Sequence, residues 1–88
     1  MKGRALLAWN LKRLRAERGI SQERLAADAE VDRAYVSELE RKRANPTIDL
    51  LDRLAKELGV PLAAFFAPPQ PGDKRPNRLK GGRPRNRK

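Results

Sequence analysis

The segment Gly19-Ile20-Ser21-Gln22-Glu23-Arg24-Leu25-Ala26-Ala27-Asp28-Ala29-Glu30-Val31-Asp32-Arg33-Ala34-Tyr35-Val36-Ser37-Glu38-Leu39-Glu40-Arg41 decides the fold. Gly19 follows Arg18, which reads as a left-handed helix stop with a cation in the last turn. Ser21 is an N-cap for a helix running to 29, with Leu25, Ala26 and Ala29 on its inner face. Asp32 caps a further helix, 32–42. Val31 before that cap and Val36 four positions after it form a hydrophobic staple, and Val36 and Leu39 point inward. The link between the two helices is too tight for antiparallel packing. They must therefore cross steeply, and the small Ala26 lets them approach closely.

Helical spacing continues on both sides. Leu7, Leu11 and Leu14 fall at i, i+4 and i+7, the stripe of an amphipathic first helix. Asn45-Pro46-Thr47 opens a fourth helix, predicted to bury Ile48, Leu51, Leu54, Ala55 and Leu58, and Gly59 stops it. Val60-Pro61 leads into a last short apolar helix, 62–66, ending in Phe65-Phe66. There is almost no strand signal and no internal repeat. The expected fold is all-α, a compact bundle of four to five short helices over residues 1–67. Pro68-Pro69 breaks the pattern and starts a basic tail, 68–88.

Composition narrows the chemistry. The 88 residues include no cysteine and no histidine. That removes thiolate zinc sites, disulfides, a cysteine nucleophile and the commonest general base, so an enzyme is not expected, nor a metal or cofactor. The longest apolar run, Val60 to Ala67, is broken by Pro61 and is too short to span a bilayer. The apolar start gives way at Asn10 to Lys12, Arg13 and Arg15, unlike a signal peptide. The expectation is a soluble cytoplasmic protein associated with the nucleoid. Net charge is +10, and residues 71–88 hold eight cations against one acid, Asp73. Three prolines, three glycines and a lone aliphatic, Leu79, leave that stretch no apolar face, so it reads as disordered in isolation. Such a charge distribution calls for a polyanion partner.

Two short, steeply crossed helices are the helix-turn-helix arrangement, whose second helix enters the DNA major groove. The run from Leu14 to Ala26 resembles the opening of the Xre/Cro/C1-type (lambda-repressor-like) family. Tyr35-Val36-Ser37-Glu38-Leu39-Glu40-Arg41, Asn45-Pro46-Thr47 and Leu54-Ala55-Lys56-Glu57-Leu58-Gly59-Val60 follow at that family's spacing. The resemblance covers residues 5–66 and is closest to small controller and repressor proteins. It implies operator DNA as the partner and a homodimer as the working form. Glu30 and Lys42 stand where the family commonly has glycine.

Residue chemistry agrees. A helix turns about 100° per residue, so Arg33, Ser37 and Arg41 share a face opposite Val36 and Leu39. Arg33 sits at the N-terminal end, where its planar fork suits guanine O6 and N7. Ala34 offers a methyl to thymine. Ser37 and Glu38 can reach a base, with Glu38 alternatively accepting from a cytosine amine or pairing with Arg41. Phosphate contacts are expected from Gln22, beside the free amides of its helix N-terminus, from the Tyr35 phenol, and from Arg41, Lys42, Arg43 and Asn45. The resemblance further implies a structural ion pair between Arg15 and Glu40.

The short last helix cannot bury both phenylalanines, so Phe65 and Phe66 are the candidate dimer interface. Lys74, Arg75, Arg78, Lys80, Arg83, Arg85, Arg87 and Lys88 read as a tail for non-specific DNA binding. Gly81-Gly82-Arg83-Pro84-Arg85 resembles an AT-hook core but has glycine where an arginine is expected. Two other readings fit the composition. One is a DNA-binding antitoxin whose tail or Phe65-Phe66 end also grips a toxin; the other is a general RNA- or nucleoid-binding protein.

Overall fold

The computed structural model describes residues 2–70. Its elements run α1 (Gly3–Arg18), α2 (Gln22–Ala29), α3 (Arg33–Glu40), α4 (Ile48–Leu58) and a 3₁₀ helix (Leu62–Phe66), with no strand among the described residues. The core takes Leu7, Leu11 and Leu14 from α1, Leu25, Ala26 and Ala29 from α2, Val36 and Leu39 from α3, Leu51, Leu54, Ala55 and Leu58 from α4, and Phe65. The first helix runs through the middle, touching α3, α4 and the 3₁₀ helix, while α2 packs on α3 and α4. Among the described residues no helix is long and apolar enough to cross a membrane.

Three of the four α-helices start at a side-chain cap, and all four end on a left-handed residue. Ser21 Oγ accepts from Arg24 N at 2.9 Å, Asp32 Oδ1 from Ala34 N at 3.4 Å, and Thr47 Oγ1 from Leu50 N at 3.1 Å. All four α-helices close through a left-handed residue: Gly19, Glu30, Lys42 and Gly59, with φ of 65°, 60°, 65° and 69°. The two non-glycine members of that set bracket α3. In each case the next amide returns to a carbonyl five residues back: Ile20 to Arg15, Val31 to Ala26, Arg43 to Glu38 and Val60 to Ala55. This is the Schellman arrangement. Three of the four residues that follow the left-handed one (Ile20, Val31 and Val60) are apolar and pack against the core. After α3 the fourth is Arg43, which is exposed.

Two features depart from the sequence expectation. Ile48 is 58% exposed rather than buried. Ala55 lies within about 20° of it on the helical wheel and is buried, so angle is not the cause. Ile48 is the first residue of α4 and lines an open groove with Gly3 and Arg4 of α1 and with Phe66. The second departure is Asn10, which is fully buried within the apolar face of α1. Its Nδ2 donates toward the carbonyls of Phe65 and Ala67, both at 2.9 Å, and of Leu6 at 3.0 Å, while Oδ1 accepts from Arg13 at 2.9 Å. This one amide therefore fastens residues 65–67 onto α1. Arg13 also lies over the Trp9 ring, 5.4 Å from its centroid.

Candidate nucleic-acid interface

The two capped helices α2 and α3 set the site. Leu25, Ala26 and Ala29 face Val36 and Leu39, and the turn through Glu30 and Val31 is closed by Val31 N bonding Ala26 O at 2.8 Å. Burying Val36 and Leu39 turns Arg33 and Ala34 outward, and both are exposed, with Ser37 and Glu38 half-buried beside them. The four residues expected to meet bases thus share one open face. None has a side-chain hydrogen bond or ion pair among the described residues; the alternative Glu38–Arg41 pair does not form.

The expected phosphate contacts ring that face. Arg41, Lys42, Arg43 and Asn45 are all exposed in the link to α4. Neither Arg41, Lys42 nor Arg43 is paired with an acid among the described residues. Tyr35 is half-buried, its ring packed against the core. Gln22 stands at the first turn of α2. Ser21 satisfies the Arg24 amide, which leaves the backbone N–H groups of Gln22 and Glu23 facing outward. The side chain of Gln22 is already engaged: Nε2 donates to Glu40 Oε1 at 3.0 Å.

Glu40 belongs to a closed polar cluster behind the face. Arg15 Nε donates to Oε2 at 2.6 Å and Nη2 to Oε1 at 2.8 Å, a bidentate pair, while Nη1 holds Ile20 O at 2.9 Å. Both side chains are largely withdrawn from water, Glu40 being 5% exposed. The cluster joins α1, the link before α2, the start of α2 and the end of α3. Sequence reasoning missed the bonds of Asn10 and Gln22. Asn10 had a signal, an amide at the centre of an apolar stripe, whereas nothing local pairs Gln22 with a residue eighteen positions away.

The helix-turn-helix family HTH_3 matches from residue 11 to residue 65. The chain belongs to this family. Its members are transcription regulators rather than enzymes, as expected from the residues that carry the Xre/Cro/C1-type resemblance. A hypothetical transcription factor of Neisseria meningitidis is 43% identical over 67 residues, which is 76% of this chain and 63% of that protein. The regulator SutR of Escherichia coli is 41% identical over 64 residues, 73% of this chain and 36% of its own length. The chain thus spans less than two thirds of either relative. Among solved structures, the Neisseria factor superposes with a TM-score of 0.76 at 41% identity, covering 80% of both chains. The restriction-modification controller protein C.AhdI of Aeromonas hydrophila superposes at 0.70 with 32% identity, covering 72% of this chain and 96% of that one.

Other expectations meet the structure unevenly. Of the two phenylalanines, Phe65 fills the core at 0% exposure and so offers no surface to a second copy, while Phe66 is 39% exposed. Phe66 shares a shallow groove with Pro46 and Ile48, floored by Leu7 and Leu51. Among the described residues no group of acids, cysteines or histidines is placed to hold a metal. The basic tail residues Lys74, Arg75, Arg78, Lys80, Arg83, Arg85, Arg87 and Lys88 lie outside the described residues.

Proposed function

We propose that this helix-turn-helix protein is a sequence-specific DNA-binding transcription regulator that lays α3 in the major groove. The observation that carries the reading is the division of α3. Val36, Leu39 and Glu40 are spent on the core and the Arg15 pair, while the side chains of Arg33, Ala34, Ser37 and Glu38 have no partner among the described residues. Arg33 reads guanine and Ala34 a thymine methyl, with Ser37 and Glu38 reaching neighbouring base edges. Gln22 with the α2 amides on one side, and Tyr35, Arg41, Lys42, Arg43 and Asn45 on the other, hold the phosphates on either side of the groove. Residues 68–88 act as a separate cationic tail that strengthens binding to any sequence. The likeness to regulators and to a controller protein supports this assignment, and with it a cytoplasmic site of action on the nucleoid.

The working form is a homodimer on a palindromic operator, with Phe66 as the interface residue and Pro46 and Ile48 beside it. A twofold dimer of helix-turn-helix units reads half-sites about 10 base pairs apart.

Selection of random duplex DNA by the full chain at physiological salt tests the reading. Enrichment of a palindromic site is expected, and a chain ending at residue 70 is expected to choose the same site with a shallower salt dependence. Recovery of unrelated sequences, or loss of selection on removing the tail, overturns it. Sedimentation is expected to give a dimer that Phe66→Glu converts to monomer; a monomer both free and bound refutes the dimer.

A further inference from the structure

Gln22 and Glu40 lie at opposite ends of the crossed helix pair, one opening α2 and the other closing α3. Their 3.0 Å bond is the one side-chain hydrogen bond recorded between α2 and α3. An ionised carboxylate only accepts, so the Gln22 amide must turn its nitrogen toward Glu40. That nitrogen keeps a second proton. Glu40 is itself fixed from behind by both bonds from Arg15, and Arg15 is tied to Ile20 O in the link that leads into α2. The glutamine nitrogen is thus held, through Glu40 and Arg15, by groups that belong to other segments.

We infer that Glu40 is a positioning residue for DNA binding: it sets the Gln22 side chain in the orientation that receives a phosphate and fixes its distance from α3. The inference rests on the phosphate role proposed for Gln22. Glu40 never meets DNA in this arrangement, being buried and saturated by three donors. Its effect passes through the amide. A glutamine at a helix start in water samples several rotamers, and ordering a long side chain on binding is unfavourable. Here the ordering is completed on folding. The contact is also registered against the base-reading helix, because its tether sits on the last residue of α3. The Arg15–Glu40 pair thus links fold to affinity.

A double-mutant cycle with Gln22→Ala and Glu40→Gln, read as affinity of the full chain for a selected site and for unrelated duplex, tests this. Glu40→Gln keeps the side-chain volume but leaves one acceptor oxygen for three donors. It is expected to weaken both duplexes alike by about two- to tenfold, the loss for one side chain left unordered. In the Gln22→Ala background the same change is expected to cost nothing further in affinity. Equal losses in both backgrounds overturn the positioning role, even if the melting temperature falls. If Gln22→Ala alone leaves affinity unchanged, the phosphate role fails first, and the inference with it. The wild-type protein gives a check that does not depend on a variant folding. One Gln22 side-chain amide proton is expected to resonate away from the free-glutamine position and to exchange slowly in NMR spectra. A Gln22 amide indistinguishable from free glutamine overturns the inference.

Discussion

The two ends of α3 differ in how their charges are used. Glu40, at the C-terminal end, is buried and receives two bonds from Arg15 and one from Gln22. Arg33, at the N-terminal end and within about 20° of Glu40 around the helix, is exposed and has no partner among the described residues. A buried charge must be paired, because removing its partner leaves a penalty of several kcal/mol. A solvated arginine adds little to stability either way. The contrast separates residues that keep the helix in place from residues that the helix presents.

Five substitutions sharpen or break that contrast, from the largest expected effect to the smallest. Glu40→Ala strands the Arg15 guanidinium and is expected to lower stability by about 3–5 kcal/mol, checked by urea unfolding. A loss of a few tenths would mean that the C-terminal end of α3 is not fixed by charge. Asn10→Ala deprives the Phe65 and Ala67 carbonyls of their donor, and a loss of about 1–3 kcal/mol is expected in the same assay. Arg33→Ala is expected to leave stability within about 0.5 kcal/mol of wild type. Its effect falls on recognition, with about 1–3 kcal/mol of discrimination lost at a single base pair in competition binding. A large fall in stability would place Arg33 among the structural residues. Last, glycine at either left-handed position relieves backbone strain: Glu30→Gly and Lys42→Gly are each expected to stabilise by about 0.5–1 kcal/mol. Only Lys42→Gly is expected to weaken DNA binding, because only that change removes a cation from the proposed interface.

The helices were legible in the sequence because their signals are local. Leucine spacing, the caps Ser21, Asp32 and Thr47, and the stops at Gly19 and Gly59 each act within a turn of the residue itself. The outward face of α3 followed from the same periodicity, once Val36 and Leu39 were assigned inward. The Arg15–Glu40 pair came from family resemblance, since no local rule joins residues 25 positions apart. What escaped depends on which element lies over which. Ile48 has the composition of a core residue but sits exposed at the first turn of α4, and Phe65 and Phe66 divide between core and surface according to where the 3₁₀ helix meets α1. Asn10 is polar among the apolar positions of α1. Its role appears only when residues 65–67 return to α1 and bring the Phe65 and Ala67 carbonyls to its amide.

The end of α3 has one more consequence. Where the other three helix exits anchor themselves with Ile20, Val31 or Val60, this exit offers Arg43 to solvent, and the backbone bonds from Lys42 N to Leu39 O and from Arg43 N to Glu38 O finish the turn. Those bonds are indifferent to the side chains that their residues carry. Mutation can therefore add, drop or invert charge at this corner while the core and the proposed base-reading face stay as they are. Under the proposed function, the grip on DNA, and so the concentration at which the protein acts, can drift independently of which site is chosen.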